Sequence, residues 1–197
     1  MNLSLAIALT GGIASGKSTA ASLLKLYGYH IICADEIAHQ KLESSAEEVV
    51  RAFGEGILKD RDLDSSKIDR QKLGAIVFSN KNARQKLESI LHPKIREEIL
   101  SQAQMQESKG IPYFVDIPLF FETNSYPISR SLLIYTTKEL QLKRLQERNH
   151  LSEEEALKRI ESQISLEDKR VMASDVIENY GTLEELQSAI ESYLRTL

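Results

Sequence analysis

The segment Gly11-Gly12-Ile13-Ala14-Ser15-Gly16-Lys17-Ser18 fits the pattern G-x-x-x-x-G-K-[ST] and constrains the fold more than any other stretch. It follows an apolar run, Leu3 to Leu9, that reads as a buried strand. It precedes Thr19 to Leu26, where Ala20, Leu23, Leu24 and Tyr27 recur at helical spacing. Strand, glycine loop and helix are the context a phosphate-binding loop needs. Small residues let the backbone curl so that successive N–H groups point inward, and the helix N-terminus adds partial positive charge. The expected nucleotide-binding set is Gly12, Ile13, Ala14, Ser15, Gly16, Lys17, Ser18 and Thr19. Lys17 can reach the β and γ phosphates of ATP, and the Ser18 hydroxyl can ligate Mg²⁺. The bland alternative is an ordinary β-to-α turn, which the flanking pattern disfavours.

Composition excludes several classes. A chain of 197 residues is long enough for one sizeable core with an inserted subdomain. Its 25 basic and 29 acidic residues give a net charge of −4, which argues against a nucleic-acid-binding surface. A single cysteine, Cys33, excludes an intramolecular disulfide and suits a reducing compartment. No stretch approaches the length of a membrane span. Leu3–Leu9 is too short for a signal sequence and lacks a basic flank. A cytoplasmic protein is expected, with no membrane contact and no obligate protein partner.

Five short apolar runs read as strands: Leu3–Leu9, His30–Ala34, Tyr113–Ile117, Leu132–Thr136 and Asp175–Ile177. The segments between them are helical in pattern, which implies a parallel sheet with helices on its faces. The expected fold is a three-layer α/β/α phosphate-loop NTPase core with a five-stranded parallel sheet. Residues 1–35, 107–137 and 173–197 would form that core. Residues 36–106 contain no convincing strand and are too long for a crossover helix, so they read as a helical insertion that binds the acceptor. Residues 138–172 are helical and charge-rich, and read as a lid. Capping boxes are expected at Ser152–Glu155, Ser165–Asp168 and Thr182–Glu185, and a linker at Ser108–Pro112. Two insertions on a phosphate-loop core suit a small-molecule kinase: one clamps the acceptor and the other closes over ATP.

Three further positions could carry chemistry. Asp35 follows the second strand, where open α/β sheets bind ligands, and could take a proton from an acceptor hydroxyl. It could equally cap the helix that follows. Asp116 ends the run Tyr113-Phe114-Val115 and fits an acid that holds Mg²⁺, or a strand-end cap. Gln141, Arg144 and Arg148 share one helix face, where the arginines could clamp transferring phosphates or simply form a solvated face. Cys33 reads as a small strand residue. His39, His92 and His150 lack metal-ligand spacing.

Taken together, the motifs resemble the dephospho-CoA kinase family over nearly the whole chain. The resemblance begins with Leu9 to Thr19 and continues with Ala34-Asp35-Glu36-Ile37-Ala38 and Leu91-His92-Pro93. It extends through Asp116-Ile117-Pro118-Leu119-Phe120-Phe121-Glu122, Gln141 to Arg148, Gln163 and Ser174 to Gly181. It implies transfer of the γ-phosphate of ATP to the ribose 3′-hydroxyl of dephospho-CoA, which completes coenzyme A. It also implies that the helical insertion binds CoA. Asp35 matches the acid that orients or deprotonates the hydroxyl, and Arg144 matches a lid arginine facing the phosphates. Arg148 joins the ATP-binding set, and Asn179 and Gly181 fall where the loop after the fifth strand holds adenine. His92 and Pro118 fall in segments that contact the acceptor.

The chain departs from the family pattern at Ala14, where many members have Gly, at Cys33, where many have Asp, and at His39, where Arg is frequent. The Ala14 methyl is tolerable if that residue keeps φ negative. The competing readings are another small-molecule kinase, for a nucleoside monophosphate or a sugar acid, and a nucleotide switch that need not position an acceptor.

Overall fold

A computed structural model describes residues 3–59 and 67–197. Its contacts divide the chain into two units, Met1–Cys33 with Gln102–Leu197, and Ala34–Ser101.

The first unit is built on five strands: β1 Ala6–Gly11, β2 Ile31–Cys33, β3 Tyr113–Asp116, β4 Arg130–Tyr135 and β5 Asp175–Glu178. They form one parallel sheet in the order β2-β3-β1-β4-β5. Every residue of β1 and β3 is buried. That explains why these strands read as continuous apolar runs and not as alternating ones. All five expected strands are present, with shifted ends. The first starts at Ala6, not Leu3, and extends to Gly11, which pairs with Ile134 of β4. Leu3 is buried outside the strand, so hydrophobicity marked its burial and not its pairing.

Helix α1, Lys17–Leu26, buries Ala20, Ala21 and Leu24. These residues pack with Ile7, Leu9, Phe114, Leu132 and Ile134 of the sheet in the main core. The spacing read from Ala20 and Leu24 is therefore the packed face of the helix. The core also takes in Leu186, Ile190 and Tyr193 of the C-terminal helix, Leu183–Leu194.

The second unit holds helices α2 Ala34–Ser44, α3 Ala46–Phe53, α4 Arg70–Ser79 and most of α5, Lys81–Glu107. A single 3-10 turn, Glu55–Ile57, joins α3 to an antiparallel bridge between Leu58 and Ile68. Its own core gathers Leu42, Val49, Ile57, Ile68, Leu73 and Leu91. Ion pairs Lys41–Glu98 at 2.7 Å and Lys94–Glu48 at 2.6 Å tie α5 back to α2 and α3. Among the described residues this bridge departs from the helical pattern of 36–106; two residues are too few to leave a strand pattern.

The remaining helices belong to the first unit: α6 Phe120–Thr123, α7 Lys138–Asn149, α8 Glu153–Ile160, α9 Leu166–Met172 and α10, the C-terminal helix already described. Both halves of the capping box form at Ser152–Glu155 and at Thr182–Glu185. At Ser165 only one half forms. Ser165 accepts from the Asp168 N–H at 3.0 Å, while the Asp168 carboxylate takes the Ser165 hydroxyl at 2.7 Å. Asp is one methylene shorter than the Glu or Gln of a full box.

Candidate active site

The phosphate loop begins where β1 ends. Ser15 N–H donates to Gly12 O at 3.1 Å and closes the turn, and Gly16 leads into α1 with φ of 95°. A Cβ at Gly16 would strike Asn179 Nδ2, so glycine is required there by both dihedral and space. A Cβ at Gly12 would lie 2.7 Å from Gln141 Nε2 and 3.0 Å from Leu166 Cγ. Ala14 does not keep a negative φ. It sits at φ 58°, in the left-handed region, and the condition set from the sequence for its methyl is not met. The strained methyl packs against the cluster of Leu145, Ala156 and Ile160.

The loop backbone is held from outside by side chains distant in sequence. Gln141 Nε2 donates to Ile13 O at 2.7 Å. Ile13 N–H donates to Gln163 Oε1 at 3.0 Å. Asn179 Nδ2 donates to Ser15 O at 2.8 Å. Lys169 Nζ donates to Gly11 O at 3.2 Å and pairs with Glu122 Oε1 at 2.7 Å. The expected arginine face of α7 thus starts with a buried glutamine turned to the loop. Arg144 is half-buried, with Nη1 at 3.5 Å from Thr136 Oγ1, and Arg148 is exposed and donates to Asn149.

Lys17 forms an ion pair with Asp116, which is 7% exposed. Asp116 ends β3 in register with Leu9 of β1 and Cys33 of β2. The carboxylate therefore sits at the C-terminal edge of the sheet, beside the start of α1, where open α/β sheets bind ligands. The Thr10 hydroxyl donates to Pro118 O at 3.2 Å and fixes the chain just past that carboxylate. Ser18 and Thr19 are exposed in the first turn of α1. A hydroxyl and a carboxylate are hard oxygen donors, which is the donor set Mg²⁺ takes. Gly181 immediately precedes the capping box of α10.

Asp35 and His92 belong to the second unit and are both exposed, Asp35 in the first turn of α2 and His92 on α5. Asp35 is inside the helix, not before it, and accepts no backbone hydrogen bond among the described residues, so it is not a cap.

No local pattern marks Glu122, Gln163 or Lys169 as holding the loop. Glu122 and Gln163 lay within the segments that carry the family resemblance. Lys169 stands in the charge-rich stretch 138–172 that reads as a lid, yet its side chain is fully buried.

A parallel sheet carrying this loop at the end of its central strand, with an acid ending the neighbouring strand, defines a phosphate-loop NTPase fold. The family model for dephospho-CoA kinase matches residues 5–185. A dephospho-CoA kinase of Helicobacter hepaticus is 48% identical over 99% of this chain and 94% of its own length. One of Wolinella succinogenes is 48% identical over 100% and 96%. The solved dephospho-CoA kinase of Campylobacter jejuni superposes with a TM-score of 0.74 at 38% identity, covering 98% of this chain and 97% of its own. A solved Thermus thermophilus protein gives 0.79 at 34% identity, covering 98% of each. The chain belongs to the dephospho-CoA kinase family, and with it to the transferases that carry out the last step of coenzyme A biosynthesis.

Proposed function

We propose that this chain transfers the γ-phosphate of ATP to the ribose 3′-hydroxyl of dephospho-CoA by one in-line displacement. The 3′-oxygen gives its proton to Asp35 and attacks the γ-phosphorus. The bond from that phosphorus to the bridging oxygen of ADP breaks, and ADP leaves with the electron pair. The observation that carries this reading is the preformed loop with Lys17 beside a strand-end carboxylate. Asp35 supports it as an exposed carboxylate two residues beyond the end of β2.

The backbone N–H groups of the loop, residues 12–19, cradle the β and γ phosphates, and Lys17 exchanges Asp116 for phosphate oxygens. Ser18 and Asp116 would hold Mg²⁺, which when bound neutralises charge on the transferring group. Arg144 and Arg148 add guanidinium charge from α7. The loop at Asn179 and Gly181 receives adenine, and His92 and Pro118 contact the acceptor. ATP and dephospho-CoA are small soluble molecules, and we assign the reaction to the cytoplasm, without a nucleic-acid, membrane or obligate protein partner. No described helix is long and apolar enough to cross a membrane.

Incubation with MgATP and dephospho-CoA, followed by mass detection of CoA, tests the proposal. Phosphate release without a phosphorylated acceptor would identify a nucleotide switch instead. Phosphorylation of a nucleoside monophosphate or sugar acid, and not of dephospho-CoA, would identify a different kinase.

A further inference from the structure

Lys169 is the one lysine among the described residues whose side chain is completely buried in an ion pair. Burying an ammonium is expensive unless it is paired and hydrogen-bonded. Here it lies between two oxygens that belong to different parts of the chain. One is Glu122 Oε1 at 2.7 Å, on α6; the other is the Gly11 carbonyl at 3.2 Å, the last residue of β1. The same Glu122 oxygen accepts the Ile164 N–H at 3.2 Å, which fixes the turn between α8 and α9. From that turn Gln163 reaches Ile13 N–H at 3.0 Å. Glu122, Gln163 and Lys169 thus grip the phosphate loop at Gly11 and at Ile13, on either side of Gly12. None of them occupies the nucleotide-binding set derived from the motif.

We infer that Lys169, Glu122 and Gln163 are positioning residues for the phosphate loop. They act through its backbone and hold it in the nucleotide-ready curl before ATP arrives. This inference rests on the phosphate-loop reading above. A glycine-rich loop is entropically costly to order, because glycine and its neighbours sample many backbone states. The Gly11 carbonyl sets the direction in which the chain leaves β1, and the Ile13 N–H sets the first step of the curl. With both fixed in the free protein, binding of ATP does not have to order them. This loss of ordering cost is the same in the ground state and in the transition state. Removing the grip therefore weakens ATP binding with kcat little changed. A wholly structural role for the buried pair would instead lower thermal stability and leave ATP affinity where it was.

The test uses the full chain and two variants. Gln163→Met keeps length and leaves the Lys169–Glu122 pair intact, but removes the acceptor for Ile13 N–H. The double variant Glu122→Gln with Lys169→Met removes both buried charges together, and a glutamine oxygen still accepts from Ile164. This avoids the isolated buried charge that either single change would leave. ATP dissociation constants are measured by calorimetry, thermal midpoints by scanning calorimetry, and kcat and KM by steady-state kinetics. The expected result is a Kd and KM for ATP raised about fivefold in Gln163→Met, the scale of one lost hydrogen bond. At least that rise is expected in the double variant, with kcat and the KM for dephospho-CoA within about twofold of wild type. ATP affinity within twofold of wild type in Gln163→Met overturns the inference, whatever happens to its melting temperature. If the double variant does not fold, Gln163→Met decides alone. Wild-type protein that binds no ATP overturns the phosphate-loop reading as well, whereas wild-type binding that the variants share undiminished overturns only the positioning role.

Discussion

The Lys17 ammonium rests on the Asp116 carboxylate at the end of β3. Both side chains are nearly buried, so the pair is a charge contact within the fold as well as a candidate for exchange with phosphate. Lys17→Ala is expected to lower kcat by on the order of 10²–10³, the scale of removing one fixed donor to a transition-state charge. It also takes the ammonium from Asp116, at a cost of about 1–3 kcal/mol. Kinetics and calorimetry should therefore both move. Wild-type turnover in this variant would remove the loop from the reaction.

Asp35→Asn separates the base from the fold. Because Asp35 is exposed within the first turn of α2, its charge favours the helix end by only about 0.3–1 kcal/mol. A small fall in melting temperature is expected. If Asp35 accepts the hydroxyl proton, kcat should fall by on the order of 10² or more while ATP affinity holds. Full activity in the amide variant would rule out proton transfer to this residue.

Arg144→Lys keeps charge and removes the planar fork. Among the described residues its side chain makes one long hydrogen bond, to Thr136 Oγ1 at 3.5 Å, so stability should change by less than about 0.5 kcal/mol. With a bidentate contact made in the transition state, kcat and kcat/KM should drop together while KM for ATP moves little. A rise in KM alone would mean ground-state binding. No change in either would leave Arg144 as a solvated side chain outside the site.

Ala14 gives a test of backbone strain. Replacement by glycine relieves a left-handed residue, but gives the unfolded chain more freedom and removes a methyl from the Leu145 cluster. The relief, about 1–2 kcal/mol, is opposed by about 0.4–1 kcal/mol of unfolded-chain entropy and about 0.8 kcal/mol for the lost methyl, so Ala14→Gly should stay within about 1 kcal/mol of wild type. Ala14→Val puts a β-branched side chain at positive φ and should lose about 1–3 kcal/mol. Chemical denaturation of the three proteins gives the order, and equal stability of valine and glycine would contradict the φ of 58°.

The sheet was legible because β1 and β3 are buried on every residue, and nearly unbroken apolar runs announce that burial. The ends were less so. Leu3 is as buried as a strand residue without being one, and Gly11 is a strand residue that reads as loop. In the site, residues fixed by a local pattern could be read: Lys17 from its motif, Asp116 from its strand. Lys169 could not, because its partners at Gly11 and Glu122 lie 158 and 47 positions away and nothing local marks the lysine as buried. The dihedral of Ala14 was equally out of reach, since alanine carries no preference for the left-handed region that its sequence could signal.

The strand order also bears on how the protein is made. β1 lies between β3 and β4, and Ala6 pairs with Tyr113 while Ile7 pairs with Arg130. The strand that carries the phosphate loop therefore has no sheet partner until more than a hundred further residues have been synthesised. At about 5–20 residues per second that delay lasts several seconds or more. Through it a short, mostly apolar segment emerges from the ribosome with both hydrogen-bonding edges open. Nascent chains halted before Tyr135 should then bind a holding chaperone through the β1 segment, and chains halted after Glu178 should release it.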